Sequence, residues 1–127
     1  MPDLRSHDQG FVAAHPERVY ETLANPASYA AWWPGARVVP EGVLLPFRRR
    51  PRPATADRHR NDVGLHLVSP DEELEWYLEP FDDGTIVNVF LQLTDAQGRS
   101  SHRRLRRMRG AVRTGLVGLK RRLEAGS

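Results

Sequence analysis

Three glutamates on one predicted strand have a spacing that could support chemistry. Glu73, Glu75 and Glu79 share one face of an alternating segment, and neighbouring carboxyl groups can serve as a general acid and a general base. The other face of this segment carries Leu74, Trp76 and Leu78. Because the apolar face packs inward, the three carboxylates are predicted to point to solvent, and catalysis by them is disfavoured.

His59 and Asn61 are the candidates for orienting a bound ligand. Alternation carried backward from Val63 places both residues on the inner face of a strand, where a buried polar group needs a partner. The alternative is that the strand begins near Val63 and that both residues lie in a loop. The loop is favoured because strand register is least certain at strand ends. No catalytic residue is predicted, and His59 is the one weak candidate for an acid or base.

Metal and cofactor chemistry is not indicated by the sequence. The chain has no cysteine, and its five histidines lack the spacing of metal ligands. These histidines are His7, His15, His59, His66 and His102. The sequence also lacks the glycine patterns of phosphate loops and dinucleotide sites, and it has no nucleophile-elbow motif. We therefore predict no metal and no cofactor.

A long C-terminal helix is predicted from roughly Ser100 to Ala125. Its apolar residues recur at helical spacing and form one stripe that must face another element. The stripe consists of Leu105, Met108, Val112, Leu116, Leu119 and Leu123. Gly110, Gly115 and Gly118 are each unfavourable inside a helix by roughly 1 kcal/mol. They indicate either a close approach of another element, which is favoured, or space left for a ligand.

The preceding part of the chain is typical of an antiparallel meander. Extended segments are predicted at Leu4 to Ala14, Ala36 to Val39, Val43 to Phe47, Thr55 to Val68, Glu73 to Glu79 and Thr85 to Leu93. Turn signals separate these segments, and Asp83-Gly84 predicts a hairpin between the last two. The basic stretch RRRPRP, residues 48–53, has no assigned role.

A pair of short helices is predicted after the first strand. Pro16 begins the first helix, and Asn25-Pro26 ends it because the residue before a proline avoids the helical region. The second helix carries Tyr29, Trp32 and Trp33 and stops at Pro34-Gly35. A tryptophan at a cavity mouth could stack on a ring-bearing ligand, and the alternative is that one of the two belongs to the core.

Positive charge is concentrated near the C-terminus. Residues 99–124 contain ten basic residues and one acidic residue, whereas the net charge of the whole chain is +3. The cluster on the predicted helix consists of Arg103, Arg104, Arg106, Arg107, Arg109 and Arg113. It could bind nucleic acid or an anionic membrane. Because no stacking aromatics interleave with it, a solvated face with partners such as Glu75 and Glu79 is favoured, and no nucleic-acid partner is expected.

The sequence resembles the SRPBCC or START-like (helix-grip) superfamily, which includes polyketide cyclase/dehydrase-like proteins and lipid-transfer START domains. The resemblance is carried by FVAAHPERVYETLANPASYAAWWPG, by LEWYLEPFDDGTIVNVFLQL and by the C-terminal helix. It implies one START-like domain over residues 1–127, of the α+β class. The implied fold is a curved antiparallel sheet of about six to seven strands, with two short helices after the first strand. The long C-terminal helix packs across this sheet.

The resemblance implies binding of an apolar or aromatic small molecule in a cavity between the sheet and the C-terminal helix. The ligand would be of lipid, polyketide or isoprenoid type, and the chain would be a carrier or a cyclase-like protein. The predicted ligand-binding residues are Trp32, Trp33, Phe47, His59, Asn61, Leu65, Leu67, Trp76, Leu78, Val89, Leu91, Met108, Val112 and Leu116.

Two other functions remain open on the sequence alone. The chain could be an interaction module that uses its Arg-rich helix to meet an acidic partner, a membrane surface or nucleic acid. It could also be a structural subunit whose cavity is filled by side chains, and a homodimer is open in that case. The polar N-terminus and the lack of an apolar run of about 18 residues predict a cytoplasmic protein without a signal peptide or transmembrane segment.

Overall fold

Seven strands form one sheet in the computed structural model, which describes residues 4–46, 53–59, 62–66, 72–94 and 98–125. The strands are β1 (Leu4–Val12), β2 (Arg37–Val39), β3 (Gly42–Leu44), β4 (Pro53–His59), β5 (Asp62–His66), β6 (Glu72–Phe81) and β7 (Gly84–Leu93). Their order across the sheet is β1-β7-β6-β5-β4-β3-β2, and neighbouring strands are antiparallel. The predicted α+β class and strand number are confirmed.

Three helices accompany the sheet in the described residues. They are α1 (Pro16–Leu23), a 3₁₀ helix (Pro26–Ala31) and α2 (Gly98–Ala125). With 28 residues, α2 is about 42 Å long at 1.5 Å per residue. The predicted order of one strand, two short helices, a meander and a long terminal helix is therefore confirmed.

The two short helices begin at side-chain caps. The His15 ring accepts a hydrogen bond from the Glu17 backbone N–H at 3.3 Å, and Pro16 occupies the first turn, where a missing N–H costs nothing. Asn25 Oδ1 accepts from the backbone N–H of Ala27 at 3.2 Å and so begins the 3₁₀ helix. The prediction that Trp32 and Trp33 belong to this helix was wrong, because the helix ends at Ala31.

The sheet has an inner face, which packs against α2, and an opposite outer face. Alternation along β6 and β7 buries the inner-face apolar side chains, as the sequence predicts. These side chains are Leu74, Trp76, Leu78, Val87, Val89, Leu91 and Leu93. On α2 the predicted stripe is also buried at Met108, Val112, Leu119 and Leu123, and Leu105 and Leu116 pack against the core.

The predicted continuous segment from Thr55 to Val68 is wrong, since β4 and β5 are separate strands. In their register Arg58 pairs with Val63, and His59 pairs with Asp62. Alternation therefore cannot be carried from Val63 on β5 back to His59 on β4. The alternation rule does not apply to His59, and Asn61 lies outside the described residues.

The hairpin between β6 and β7 has a glycine, Gly84, at a position where the neighbouring strand leaves no room for a side chain. The turn residues are Asp82 and Asp83, and Asp82 adopts a φ of 47°. Gly84 instead pairs with Phe81 as the first residue of β7. A Cβ at Gly84 would overlap the Val12 carbonyl oxygen and would approach the Phe11 ring within 2.7 Å. Glycine is therefore required here because β1 passes so close to the turn.

Two of the three helical glycines in α2 mark a close approach to the segment that follows the 3₁₀ helix. A Cβ at Gly115 would lie 2.8 Å from the Trp33 ring, and a Cβ at Gly118 would overlap the Trp32 carbonyl oxygen. A Cβ at Gly110 would meet no heavy atom within 4 Å. Close packing therefore explains Gly115 and Gly118, whereas Gly110 lies on the exposed side of the helix.

Substitution of two of these glycines should have opposite effects on stability. We expect Gly118→Ala to lower the free energy of unfolding by at least about 2 kcal/mol, because backbone must move to admit the methyl group. Gly110→Ala should raise it by about 0.5–1 kcal/mol, since alanine is the better helix former where space is free. Urea unfolding of both variants measures the two changes. Equal effects at the two positions would contradict the close approach at Gly118.

Candidate functional site

Four aromatic rings fill the space between α2, the inner face and the helix pair. Tyr29, Trp33 and Trp76 are fully buried, and Trp32 is 3% exposed. The two neighbouring tryptophan rings stack at 5.7 Å between centroids, and each meets the Trp76 ring edge-on at about 6 Å. The Tyr29 ring lies 4.6 Å from the Trp32 ring. These four residues are called the aromatic cluster below.

Two polar groups of the aromatic cluster donate hydrogen bonds within the protein. The Tyr29 hydroxyl donates to the Leu23 carbonyl at 2.7 Å, and the Trp32 indole N–H donates to Ser28 Oγ at 3.2 Å. Burial raises the pKa of the Tyr29 hydroxyl far above its usual range, and the nearby Trp76 indole offsets only part of this rise. Tyr29 is therefore neutral at physiological pH and cannot act as a base.

The Trp76 indole N–H differs from these groups. It is buried and has no partner with hydrogen-bond geometry among the described residues. Trp76 lies on the inner face of the sheet, where the register aligns it with Val89 and Asp8 on one side and with Val63 on the other.

The described members of the predicted ligand-binding set come together in one packed core. Buried members are Trp32, Trp33, Trp76, Leu78, Val89, Leu91, Met108 and Val112, and Leu116 is half-buried. Phe47, Asn61 and Leu67 lie outside the described residues, as do the side chains of His59 and Leu65. Contact of any of these residues with a ligand stays a prediction.

An apolar groove of about 430 Å³ runs along the surface between β1 and α2. Its lining residues are Asp8, Gln9, Gly10, Phe11, Val12, Arg113, Leu116, Val117 and Lys120. Gly10 leaves part of this space open, since a Cβ there would meet nothing within 4 Å. We call this feature the β1–α2 groove. Leu116 is its one member among the predicted ligand-binding residues.

Two features of the sequence indicate the β1–α2 groove, and neither is among the predicted ligand-binding residues. Gly10 occupies an inward position of β1, where alternation calls for a side chain that packs under the helix. Val117 lies outside the apolar stripe of α2 and is 49% exposed. A missing side chain on the strand and an exposed apolar side chain on the helix therefore flank the same opening.

One end of the β1–α2 groove is closed by an ion-pair cluster. The Asp8 carboxylate accepts two hydrogen bonds from the Arg109 guanidinium and one from Arg113, each at 3.2 Å. Partial burial alone would raise the pKa of Asp8, but hydrogen bonds and charge from the two arginines outweigh it and lower the pKa. A carboxylate held in this way is a poor general base.

The other end of the groove is bordered by a lysine that binds the edge of β1. Lys120 Nζ donates to the Phe11 carbonyl at 3.1 Å and to Glu124 Oε2 at 2.6 Å. The same Glu124 oxygen accepts the Ala13 backbone N–H at 2.9 Å. Hydrogen bonds from Lys120 and Ala13 lower the pKa of Glu124. The last turns of α2 thereby cover unpaired backbone groups at this edge of the sheet.

The arginine cluster on α2 is partly used within the chain, with partners other than the predicted ones. Arg104 forms an ion pair with Glu72, whose side chain is buried on the inner face, and Asp8 binds Arg109 and Arg113. The suggested partners Glu75 and Glu79 lie on the outer face instead. Arg103, Arg106 and Arg107 are exposed on α2.

Three acidic residues of β6 point to solvent, as the sequence predicts. Glu73, Glu75 and Glu79 are exposed on the outer face, and Glu79 accepts a hydrogen bond from the Asn88 amide at 2.7 Å.

In the part of the chain that the structure describes, no group of three His, Asp or Glu side chains could hold a metal ion. In that same part, no helix is both long and apolar enough to cross a bilayer.

A second pocket of about 690 Å³ lies between the helix pair and the end of α2. Arg18 and Arg122 flank it, and Trp32 and Leu123 contribute apolar surface. It borders the aromatic cluster from outside through Trp32. Its mixture of exposed cations and small side chains is less apolar than the lining of the β1–α2 groove.

Comparison with solved structures identifies the fold. The KanY protein superposes with a TM-score of 0.77 at 19% identity, over 98% of this chain and 99% of that one. A START superfamily protein from Mycobacterium smegmatis gives 0.72 at 14% identity, over 97% and 99% of the two chains. The chain has a START-like fold.

A further structure with this fold is a dimer. The Aha1 dimer from Colwellia psychrerythraea superposes with a TM-score of 0.66 at 18% identity, over 98% of each chain. No family model matches the sequence, and no curated protein matches it. The START-like likeness therefore rests on architecture, and the chemistry of the site has to be argued from the residues of this chain.

The lowered pKa of Asp8 predicts a contribution to acid stability. Because the pKa is lower in the folded chain, ionised Asp8 stabilises the fold above its unfolded pKa of about 3.9. That contribution disappears as the pH falls through the lower, folded pKa. In Asp8→Asn, the free energy of unfolding should therefore fall less steeply with acid between about pH 5 and pH 2.

The matched control for this prediction is Asp83→Asn, at an exposed position of the β6–β7 turn. It should retain the pH dependence of the native chain. Urea unfolding of the three proteins at several pH values gives the comparison. Parallel pH profiles for Asp8→Asn and the native chain would contradict a stabilising role of the Asp8 ion pairs.

Proposed function

We propose that this chain binds an apolar or aromatic small molecule of lipid, polyketide or isoprenoid type in the β1–α2 groove. The observation that carries the proposal is an open, mainly apolar space of about 430 Å³ between the sheet and the C-terminal helix. Small-molecule sites commonly have volumes of about 300–1,000 Å³ and apolar walls with a few polar groups. The START-like fold supports the proposal as an architecture that can enclose such a space.

The surface groove is favoured over a site beneath α2. The aromatic cluster and the buried stripe of α2 occupy the described space between the helix and the inner face. Gly115 lies against Trp33, so the indole ring already fills the space that a side chain at Gly115 would occupy. By contrast, the space beside Gly10 is occupied by no other heavy atom within 4 Å of an added Cβ.

Apolar contact is expected to supply most of the affinity. The cations that border the groove already have carboxylate partners, because Arg113 binds Asp8 and Lys120 binds Glu124. A ligand therefore gains little from carrying a charge of its own. The groove walls provide Val12, Leu116 and Val117 instead, and burial of apolar area contributes about 25 cal/mol per Å².

A carrier role fits the groove better than a cyclase role. Its one carboxylate, Asp8, is held ionised by two arginines and has a lowered pKa. A general base at neutral pH works best with a pKa near 7. The buried Tyr29 hydroxyl of the aromatic cluster is held in its neutral form. The groove can therefore bind and release a molecule. The two groups just described do not form an acid–base pair for catalysis.

A second candidate function rests on the exposed arginines of α2. Arg103, Arg106 and Arg107 are exposed on α2. On the same helix Arg104 pairs with Glu72, and Arg109 and Arg113 pair with Asp8. These three side chains are available to meet an acidic partner or an anionic surface. Binding of this kind weakens steeply as salt rises, because it depends on charge.

Filling the groove from the strand side tests the first function. In Gly10→Val a branched side chain enters the open space at the inner position of β1, and valine suits a strand. The dissociation constant of the uncharged fluorescent probe N-phenyl-1-naphthylamine should rise at least about tenfold, which corresponds to about 1.4 kcal/mol.

Gly64→Val is the matched control for this substitution. Gly64 is also a strand glycine with no heavy atom within 4 Å of an added Cβ, and it lies on β5, away from the groove. It should bind the probe as the native chain does. Equal affinity in all three proteins, or no uptake by the native chain, would contradict the groove as a ligand site.

Salt dependence separates the two candidate functions. Uptake of the neutral probe should change less than about twofold between 0.05 and 0.5 M salt, since the Debye length enters only charge–charge interactions. An acidic peptide or anionic vesicle bound through Arg103, Arg106 and Arg107 should dissociate over the same range. Tight binding of anionic vesicles at low salt, with no probe uptake, would favour the second function.

A further inference from the structure

The outer face of the sheet exposes large aromatic side chains on its central strands. Phe90 on β7 is 40% exposed, Tyr77 on β6 is 36% exposed, and Phe81 at the end of β6 is 51% exposed. No helix in the described residues covers this face, since α2 packs on the opposite one. Exposed aromatics grouped on one face are typical of an interaction surface.

The charges on this face are arranged in rows with opposite signs at the two ends. The register of β1, β7 and β6 aligns Arg5 with Gln92 and Glu73 in one row. The next row aligns His7 with Phe90 and Glu75. In both rows the basic or imidazole side chain is on β1, the carboxylate is on β6, and β7 lies between them.

The centre of the outer face is held in place by hydrogen bonds. His7 Nε2 lies 2.8 Å from Asn88 Oδ1, and the Asn88 amide donates to Glu79 Oε1 at 2.7 Å and to the Tyr77 carbonyl at 3.3 Å. The His7 ring stacks on Phe90 at 4.5 Å with an interplanar angle of 12°. Association with a partner would therefore cost little side-chain ordering at this point.

We propose that two copies of this chain pack outer face to outer face, about a two-fold axis that runs parallel to β7. This axis places each row of one copy opposite the same row of the other copy. It also exchanges the positions of β1 and β6 on either side of β7. β1 of one copy then lies over β6 of the other. Arg5 therefore meets Glu73 of the second copy, and each such contact occurs twice.

The same operation places apolar groups at the centre. Phe90 lies on the middle strand and meets its own equivalent at the axis. His7 of each copy lies over Glu75 of the other, and Tyr77 lies over Gln9. A two-fold axis across the strands would instead put β1 over β1 and carboxylates over carboxylates, so the charge pattern selects the axis along β7.

The size of the surface sets the expected affinity. Three strands spaced about 4.8 Å apart and about 30 Å long present a face of roughly 15 by 30 Å. Two such faces bury about 900 Å² in total, which is below the roughly 1,200–2,000 Å² of stable interfaces and within the range of weak, transient ones, so a dimer with a micromolar dissociation constant is expected. The β1–α2 groove lies on the helix side of β1, and ligand binding there is tested separately.

Sedimentation equilibrium of the full chain tests the proposal. The native protein should dissociate with a constant between about 1 and 100 μM. Phe90→Lys puts two like charges at the axis and should weaken association at least about tenfold. Val38→Lys is the control, since Val38 is 43% exposed on β2, at the opposite edge of the sheet from β1, and it should associate as the native chain does.

A charge exchange tests the axis itself. Arg5→Glu and Glu73→Arg should each weaken association about tenfold, because each places like charges together twice. The double variant restores opposite charges and should return to within about threefold of the native constant. Thermal unfolding of each variant shows whether it is folded, and if Phe90→Lys fails to fold, the charge-exchange series decides alone.

Three outcomes overturn the proposal. One is a native chain that stays monomeric to about 100 μM. Another is a dimer whose constant is unchanged in Phe90→Lys and in both single charge reversals. The third is a double variant no better than the single ones, because this would show that Arg5 and Glu73 do not meet across the interface.

Discussion

The position of α2 depends on one close approach, between the helix and the backbone of Trp32. Gly118 lies against the Trp32 carbonyl and Gly115 against the Trp33 ring, so neither position has room for a side chain. This contact lets two large rings enter beneath the helix and meet Trp76 on the sheet. The cost of glycine in a helix, roughly 1 kcal/mol each, is offset by burial of the rings, and the remaining packing of α2 follows from this placement.

Ion pairs then fix the rotation of the helix over the inner face. Arg104 reaches the buried Glu72 on β6, and Arg109 and Arg113 reach Asp8 on β1. Because the Glu72 carboxylate is buried, removal of Arg104 should be strongly destabilising, whereas the partly exposed pairs of Arg109 and Arg113 with Asp8 contribute less. The arginine-rich composition of α2 is therefore partly structural, and the charge left for binding is smaller than the sequence suggests.

The sequence predicted the fold better than it predicted the site, and the reason is physical. The alternating pattern of β6 and β7 predicts which strand face is buried, and the apolar stripe predicts which face of α2 is buried. Both predictions were confirmed. The break between β4 and β5 was missed because the polar residues at the end of β4 continue the extended pattern. The β1–α2 groove depends on Gly10 and Val117, which are over 100 residues apart, and no local pattern reports that they meet.

The filled core also explains why a ligand site should be sought at the edge of the sheet. A ligand beneath α2 would have to displace a ring such as Trp33, which is fully buried. A tryptophan of this kind buries about 150–250 Å², so displacement costs about 4–6 kcal/mol at 25 cal/mol per Å². That cost would weaken binding on the order of a thousandfold or more. The space beside Gly10 is already open, so a ligand there meets no such cost, and the helix can keep the contacts that position it.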